Sequence, residues 1–259
     1  VWVSAEQDGD SGGVFAQRFD SAGNTLGGEI LVNTTTEGNQ QYASIAMNST
    51  GAWVVVWIDN DSGNEGVFAQ RFDSDGNRVG VETRVSTTTG FELRHANVAM
   101  ASDGSIVVVW SSNGQDGSDF GVYGQRLDTN GTQTGSEFQV NTTTTRSQMH
   151  PSVAITDDSE FLVAYSDVTS PGDDSILVQR FAADASRIGG ERRVNTTTLA
   201  HQNRPSLAVA PNGDYLIAWN SQNQDGSGDG IYAQRFNSSD QLVRSEFRAN
   251  TTTQNSQRF

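Results

Sequence analysis

The 259-residue chain has no cysteine, no lysine and no long apolar run. Without cysteine, neither a disulfide framework nor a thiolate metal site can form, and the compartment stays open. The longest apolar stretch is Ala52–Ile58, far short of the ~18–20 residues of a membrane helix, so no membrane insertion is expected. All 16 basic residues are arginines, set against 31 acidic ones for a net charge of −15. Nucleic acid and anionic membrane surfaces are therefore poor partners, because both require a basic patch. Cations, neutral glycans and basic protein surfaces remain. An initiating methionine and a leader are also missing, and Val1 falls inside a repeat. The expectation is a processed product or a segment of a longer chain.

What the chain has is repetition. Gln-Arg-Phe recurs as Gln17-Arg18-Phe19, Gln70-Arg71-Phe72, Gln125-Arg126-Leu127, Gln179-Arg180-Phe181 and Gln234-Arg235-Phe236. The arginines are about 54 residues apart, and Asn33, Ser86, Asn141, Asn195 and Asn250, each followed by three threonines, keep the same step. An aromatic residue closes a valine-rich run at Trp2, Trp57, Trp110, Tyr165 and Trp219. A period near 50 indicates a propeller or another array whose units cannot bury an apolar face alone.

Each unit reads as four strands and no helix. In the unit from Pro151 these are Ser152–Ile155, Phe161–Tyr165, Ile176–Phe181 and Glu191–Val194, joined by turns of the Asp-Gly and Asn-Gly type. Small residues in the first strand suit a crowded axis, the continuous apolar second strand suits burial on both faces, and the polar fourth strand suits a solvated edge. The predicted fold is all-β: one five-bladed β-propeller over residues 1–259, with four antiparallel strands per blade. Its units are 1–36 (partial), 43–89, 96–145, 151–198 and 205–253. The first blade lacks its innermost strand, and its open edge offers a route to oligomers.

Meander topology gathers the crossovers and the loops between second and third strands on one face, where binding residues usually sit. Those loops are rich in Asp and Gly, such as Gln7-Asp-Gly-Asp-Ser-Gly-Gly13 and Gln224-Asp-Gly-Ser-Gly-Asp-Gly230. Carboxylates on Gly-permitted turns suit Ca²⁺, with Asp8, Asp10, Asp59, Asp61, Asp116, Asp119, Asp173, Asp174, Asp225 and Asp229 as candidate ligands. The same residue types also simply form turns. Each Gln-Arg-Phe arginine is followed 11 residues later by Glu29, Glu82, Glu137, Glu191 or Glu246, which reads as a structural charge pair or a contact between blades. The Trp/Tyr position reads as core, with sugar stacking as the alternative. The Asn-Thr-Thr-Thr words contain glycosylation sequons at Asn33, Asn141, Asn195 and Asn250, or else bond the backbone as the outer strand ends.

His95, His150 and His201 show no evident metal or triad spacing, so no catalytic residue is assigned. Blade four departs from the repeat at Ser166–Asp174, Ala182–Ser186 and Arg192-Arg193, which reads as drift more than a site. The strings Gly121-Val-Tyr-Gly-Gln-Arg-Leu-Asp128, Gly135 through Thr143 and Pro151-Ser-Val-Ala154 resemble tandem repeats of large secreted or surface proteins of bacteria. That resemblance implies a secreted or cell-surface β-propeller in an adhesion setting. Repetition, which gives avidity from several equivalent sites, points to a non-enzymatic module binding a glycan or an extracellular protein, and the Asp-rich loops point to Ca²⁺ as its cofactor. A structural spacer and a hydrolase on a propeller scaffold are the rival classes.

Overall fold

The computed structural model describes every residue of the chain except 61–64, 169–173, 199 and 259. The described residues form five antiparallel sheets and no helix, the five-bladed propeller class that the repeat predicts. The first sheet has three strands, β1 (Trp2–Ala5), β2 (Gly12–Phe19) and β3 (Thr25–Leu31). The second has β4 (Gln40–Met47), β5 (Trp53–Asp59), β6 (Gly66–Phe72) and β7 (Arg78–Arg84). The third has β8 (Leu93–Met100), β9 (Ile106–Asn113), β10 (Phe120–Leu127) and β11 (Gln133–Gln139). The fourth has β12 (Ser147–Ile155), β13 (Phe161–Val168), β14 (Ser175–Phe181) and β15 (Arg187–Arg193). The fifth has β16 (Gln202–Val209), β17 (Tyr215–Gln222), β18 (Asp229–Phe236) and β19 (Leu242–Arg248).

Internal contacts divide the chain into two compact units, one of Val1–Trp110 with Gln125–Glu137 and one of Ser111–Gly124 with Phe138–Phe259. Within each, first strands lie side by side, β4 against β8 and β12 against β16. Small side chains permit this: Asn97 Nδ2 donates to Ser44 Oγ at 3.3 Å, and the Leu207 N–H donates to Ser152 Oγ at 3.1 Å. Every residue of β5 is buried, while the first four residues of β7, β15 and β19 are exposed. The core therefore sits between neighbouring sheets. In the second unit Leu162, Ala164, Ile176 and Val178 of one sheet pack with Ile217, Trp219 and Tyr232 of the next. The aromatic position is core, as Trp57, Trp110, Tyr165 and Trp219 are all fully buried. The residue four positions earlier stacks on the Gln-Arg-Phe ring, Trp53 on Phe72 at 3.9 Å and Phe161 on Phe181 at 5.0 Å.

The first strands begin at Gln40, Leu93, Ser147 and Gln202, three or four residues before the expected unit boundaries. The reason is a bulge. Register breaks between Gln41 and Ser44, between Met149 and Ser152, and between Asn203 and Ser206. Within these breaks Tyr42, His150 and Arg204 take φ of 53–54°, and His95 takes φ of 55° at the equivalent position of β8. A short period-2 apolar run was legible, but a bulge carried by non-glycine residues was not.

Candidate functional site

The threonine words turn out to be joints. Asn141 Oδ1 accepts the Val122 N–H at 2.8 Å, and its Nδ2 donates to the Thr143 carbonyl at 2.8 Å and to Gln148 Oε1 at 3.1 Å. Asn33 repeats this with Val14, Thr35 and Gln40, Asn195 with Ile176 and Thr197, and Asn250 with Ile231, Thr252 and Gln257. Ser86 keeps one of these bonds, accepting the Val67 N–H. The sequon reading thus gives way to backbone bonding: Asn33, Asn141 and Asn195 are buried and their amides are used.

Arginine and glutamate of the repeat do not pair with each other, and the expected contact between blades is what the structure shows. Arg18 donates forward to the Ser74 and Asp75 carbonyls in the hairpin between β6 and β7. Glu82 reaches back, its Oε2 accepting the Thr34 N–H at 2.6 Å and hydroxyl at 2.9 Å. Glu191 does the same to Thr142, and Glu246 to Thr196. The sequence shows both residues in one blade but not which partner each one meets.

Of the calcium candidates, Asp61 and Asp173 lie outside the described residues. Asp8 and Asp116 fold inward, each offering Oδ2 to the joint asparagine, at 3.2 Å to Asn33 and 3.5 Å to Asn141. A Cβ at Gly121 would stand 2.7 Å from Asp116 Oδ2, so glycine there makes room for the carboxylate. Asp225 accepts the Ser227 N–H at 3.2 Å, and Asp10 accepts the Gly38 N–H at 3.1 Å. The Gly38 N–H first, and Ser11 second, lower the Asp10 pKa. Asp59 is buried opposite Gln40, Asp119 is exposed, and Asp229 meets Arg258 Nε. Among the described residues no three His, Cys, Asp or Glu side chains converge as a metal site.

Blade four is where the repeat acquires chemistry. Asp174 corresponds to Gly12, Glu65, Phe120 and Asp229 in the other blades, and its Oδ2 lies 2.6 Å from His201 Nδ1. The Asp174 side chain is 6 % exposed and that of His201 is 50 % exposed. With Nδ1–H donated to the carboxylate, His201 Nε2 is left as an accessible base. Asp174 Oδ1 is buried without a hydrogen-bond partner among the described residues. Asp167 is a second buried carboxylate; it pairs in register with Ser175, the residue after Asp174, and its Oδ1 accepts Gln148 Nε2 at 2.8 Å. Ser166 Oγ accepts the Arg204 N–H at 3.1 Å. Burial and the Arg204 charge depress the His150 pKa to about 4. Tyr165, in the place of the usual Trp, donates its hydroxyl to Glu191, which a Trp at that depth could not do. Asp174 of blade four and His201 of the crossover that follows it thus form an Asp–His pair where the sequence alone reads drift. His150 lies inside β12, and His201 directly before β16. The signal lay in residues 27 positions apart, which only the crossover brings together.

No family model matches the chain, and no curated protein matches its sequence. Its fold does match solved structures. One is the GH93 α-L-arabinofuranosidase of Fusarium graminearum in complex with arabinobiose, at TM-score 0.60 and 13% identity, covering 84% of this chain and 68% of that one. Another is the Penicillium chrysogenum α-L-arabinanase complexed with arabinobiose, at TM-score 0.60 and 14% identity over 81% and 66% of the two chains. A third is the endo-arabinase of Bacteroides thetaiotaomicron, at TM-score 0.52 and 12% identity over 90% and 82%. The chain spans about two thirds of the length of the two fungal proteins. At these identities the likeness is one of fold. It overturns the resemblance to adhesin-like surface repeats, and with it the reading as a non-enzymatic adhesion module or spacer: the propellers matched are enzymes of polysaccharide breakdown.

Proposed function

We propose that this protein is a glycoside hydrolase acting on a neutral polysaccharide, with its chemistry in blade four. The observation that carries the reading is the Asp174–His201 dyad, which joins blade four to the crossover that follows it. Asp174 holds the imidazole in one tautomer and stabilises its cation, so His201 Nε2 accepts a proton from water. The water oxygen attacks the anomeric carbon, and the bond to the leaving sugar oxygen breaks. Asp167, on the adjoining strand, is assigned to protonate that oxygen, since glycosidic cleavage needs an acid opposite the base. A chain of net charge −15 disfavours polyanionic substrates. Arabinose-containing polymers are the first choice, because two of the matched enzymes hold arabinobiose. A polymer of that size is met outside the cell, which suits a secreted or cell-surface protein.

The test is release of reducing ends from arabinan, xylan and a neutral β-glucan. His201→Ala and Asp174→Asn are expected to lower kcat by about 10²–10⁴-fold, the usual worth of a positioned base. Full activity in His201→Ala, or no release from any of the three polymers by the wild-type protein, overturns the reading.

A further inference from the structure

We infer that Tyr42 and His95, in the first unit, form a sugar-binding platform for a neutral pentose-containing glycan. The inference deepens the hydrolase reading and rests on it for the class of ligand. Both residues sit in a first strand, Tyr42 in the bulge of β4 and His95 at the equivalent position of β8, with φ of 53° and 55°. Their rings meet edge to face at 4.9 Å between centroids. Tyr42 is 36 % exposed, whereas the aromatic residues of the repeat proper, such as Trp53 and Trp57, are buried.

The choice of residue at this position is informative. A left-handed backbone is costly for side chains with a Cβ and open to glycine. At the first hairpin the chain follows that rule, with Gly51, Gly104 and Gly213 at positive φ and Ser159 in blade four. At the bulge no blade does so: the residues are Tyr42, His95, His150 and Arg204. Each is a flat π system with a polar edge. A fold that merely needed the bulge would be more stable with glycine there, so the side chains are retained for what they touch. Bulges re-aim side chains next to active sites. An exposed aromatic face matches the C–H face of a furanose or pyranose ring, and its polar edge matches a hydroxyl.

The experiment uses the full chain carrying His201→Ala, titrated calorimetrically with arabinotriose and xylotriose. Tyr42→Gly and His95→Gly, each added to it, are expected to weaken binding of at least one trisaccharide about 10-fold or more. Their Tm is expected to be equal or higher, because the strained backbone is relieved. Tyr42→Phe keeps the ring and is expected to bind within about threefold of the parent. Undiminished affinity in both glycine variants overturns the platform while leaving the hydrolase reading to its own assay. A lower Tm in both assigns the rings to the scaffold and overturns it too. So does an absence of binding of either trisaccharide to the parent, even where polymer hydrolysis is observed.

Discussion

Glu137 holds Thr87 at two points: its Oε2 accepts the Thr87 N–H at 2.8 Å and the Thr87 hydroxyl at 3.0 Å. The carboxylate also takes the Thr88 hydroxyl on Oε1 at 2.8 Å. Glutamate on a fourth strand therefore staples down the threonine run of the preceding blade. Glu82 and Thr34, Glu191 and Thr142, and Glu246 and Thr196 repeat the geometry. Charge-assisted bonds of this kind contribute ~1.5–3 kcal/mol where water is partly excluded. Glu137→Ala is expected to cost about 1–2 kcal/mol, allowing for the exposed side of the contact. Urea denaturation measures it, and Glu137→Gln, which keeps the shape but not the charge, is expected to lose about half as much.

The joint asparagines yield a second prediction. Asn141→Ala removes one acceptor and two donors from a buried site and leaves the Val122 N–H unsatisfied. A cost of about 2–3 kcal/mol follows from the penalty for an unpaired buried polar group. Asn141→Ser is expected to cost less, because Ser86 already meets the equivalent N–H in blade two. Expression in a glycosylating host is expected to leave Asn33, Asn141 and Asn195 unmodified in the folded protein. Peptide mass mapping with and without glycosidase checks this.

The strands, their order and the core were legible because burial imposes a pattern that one sequence displays, as in the all-buried Trp53–Asp59 run. The incomplete first blade was legible too, because residues 1–36 supply a second, third and fourth strand without a first. The joints between blades were not. Arg18 and Glu29 share a blade, yet Arg18 bonds the next hairpin and Glu29 accepts Gln7 Nε2 at 2.7 Å. Periodicity cannot say which neighbour a side chain meets. The candidate site was hidden for a related reason: Asp174 and His201 belong to different blades and look like unrelated losses of the repeat. The positive φ at Tyr42 and His95 carried no glycine to announce it.

A third prediction concerns cations. Asp8 and Asp116 spend an oxygen on Asn33 and Asn141, and Asp10 accepts an N–H from Gly38. The acidic surface is therefore expected to respond to ionic strength as a whole, since exposed charges more than about 10 Å apart are largely screened at 0.1 M salt. Melting in calcium chloride is expected to match melting in sodium chloride of equal ionic strength. A rise specific to calcium and reversed by EDTA would instead assign coordination to the loop aspartates, with ~2.7 kcal/mol at a hundredfold excess over Kd.

The last prediction is a pH dependence centred on His150. Burial is the larger cause of its depressed pKa and the Arg204 charge the smaller; together they bring it from 6.5 to about 4. Between those two values the unfolded chain binds the proton and the folded chain does not. The contribution of the neutral imidazole to stability is therefore complete above pH 6.5 and is lost as the pH falls toward 4. At 1.36 kcal/mol per pKa unit the loss approaches about 3 kcal/mol. Carboxylates titrate over part of the same range, so the informative quantity is the difference between wild type and His150→Gln, which cannot gain this charge. Urea midpoints at pH 7, 5.5 and 4.5 are expected to fall more steeply for the wild type than for the variant. Arg204→Gln removes the smaller cause and is expected to soften the wild-type slope without abolishing it. Parallel slopes in wild type and His150→Gln would mean that His150 is protonated in the folded protein, and that burial beside Arg204 does not keep it neutral.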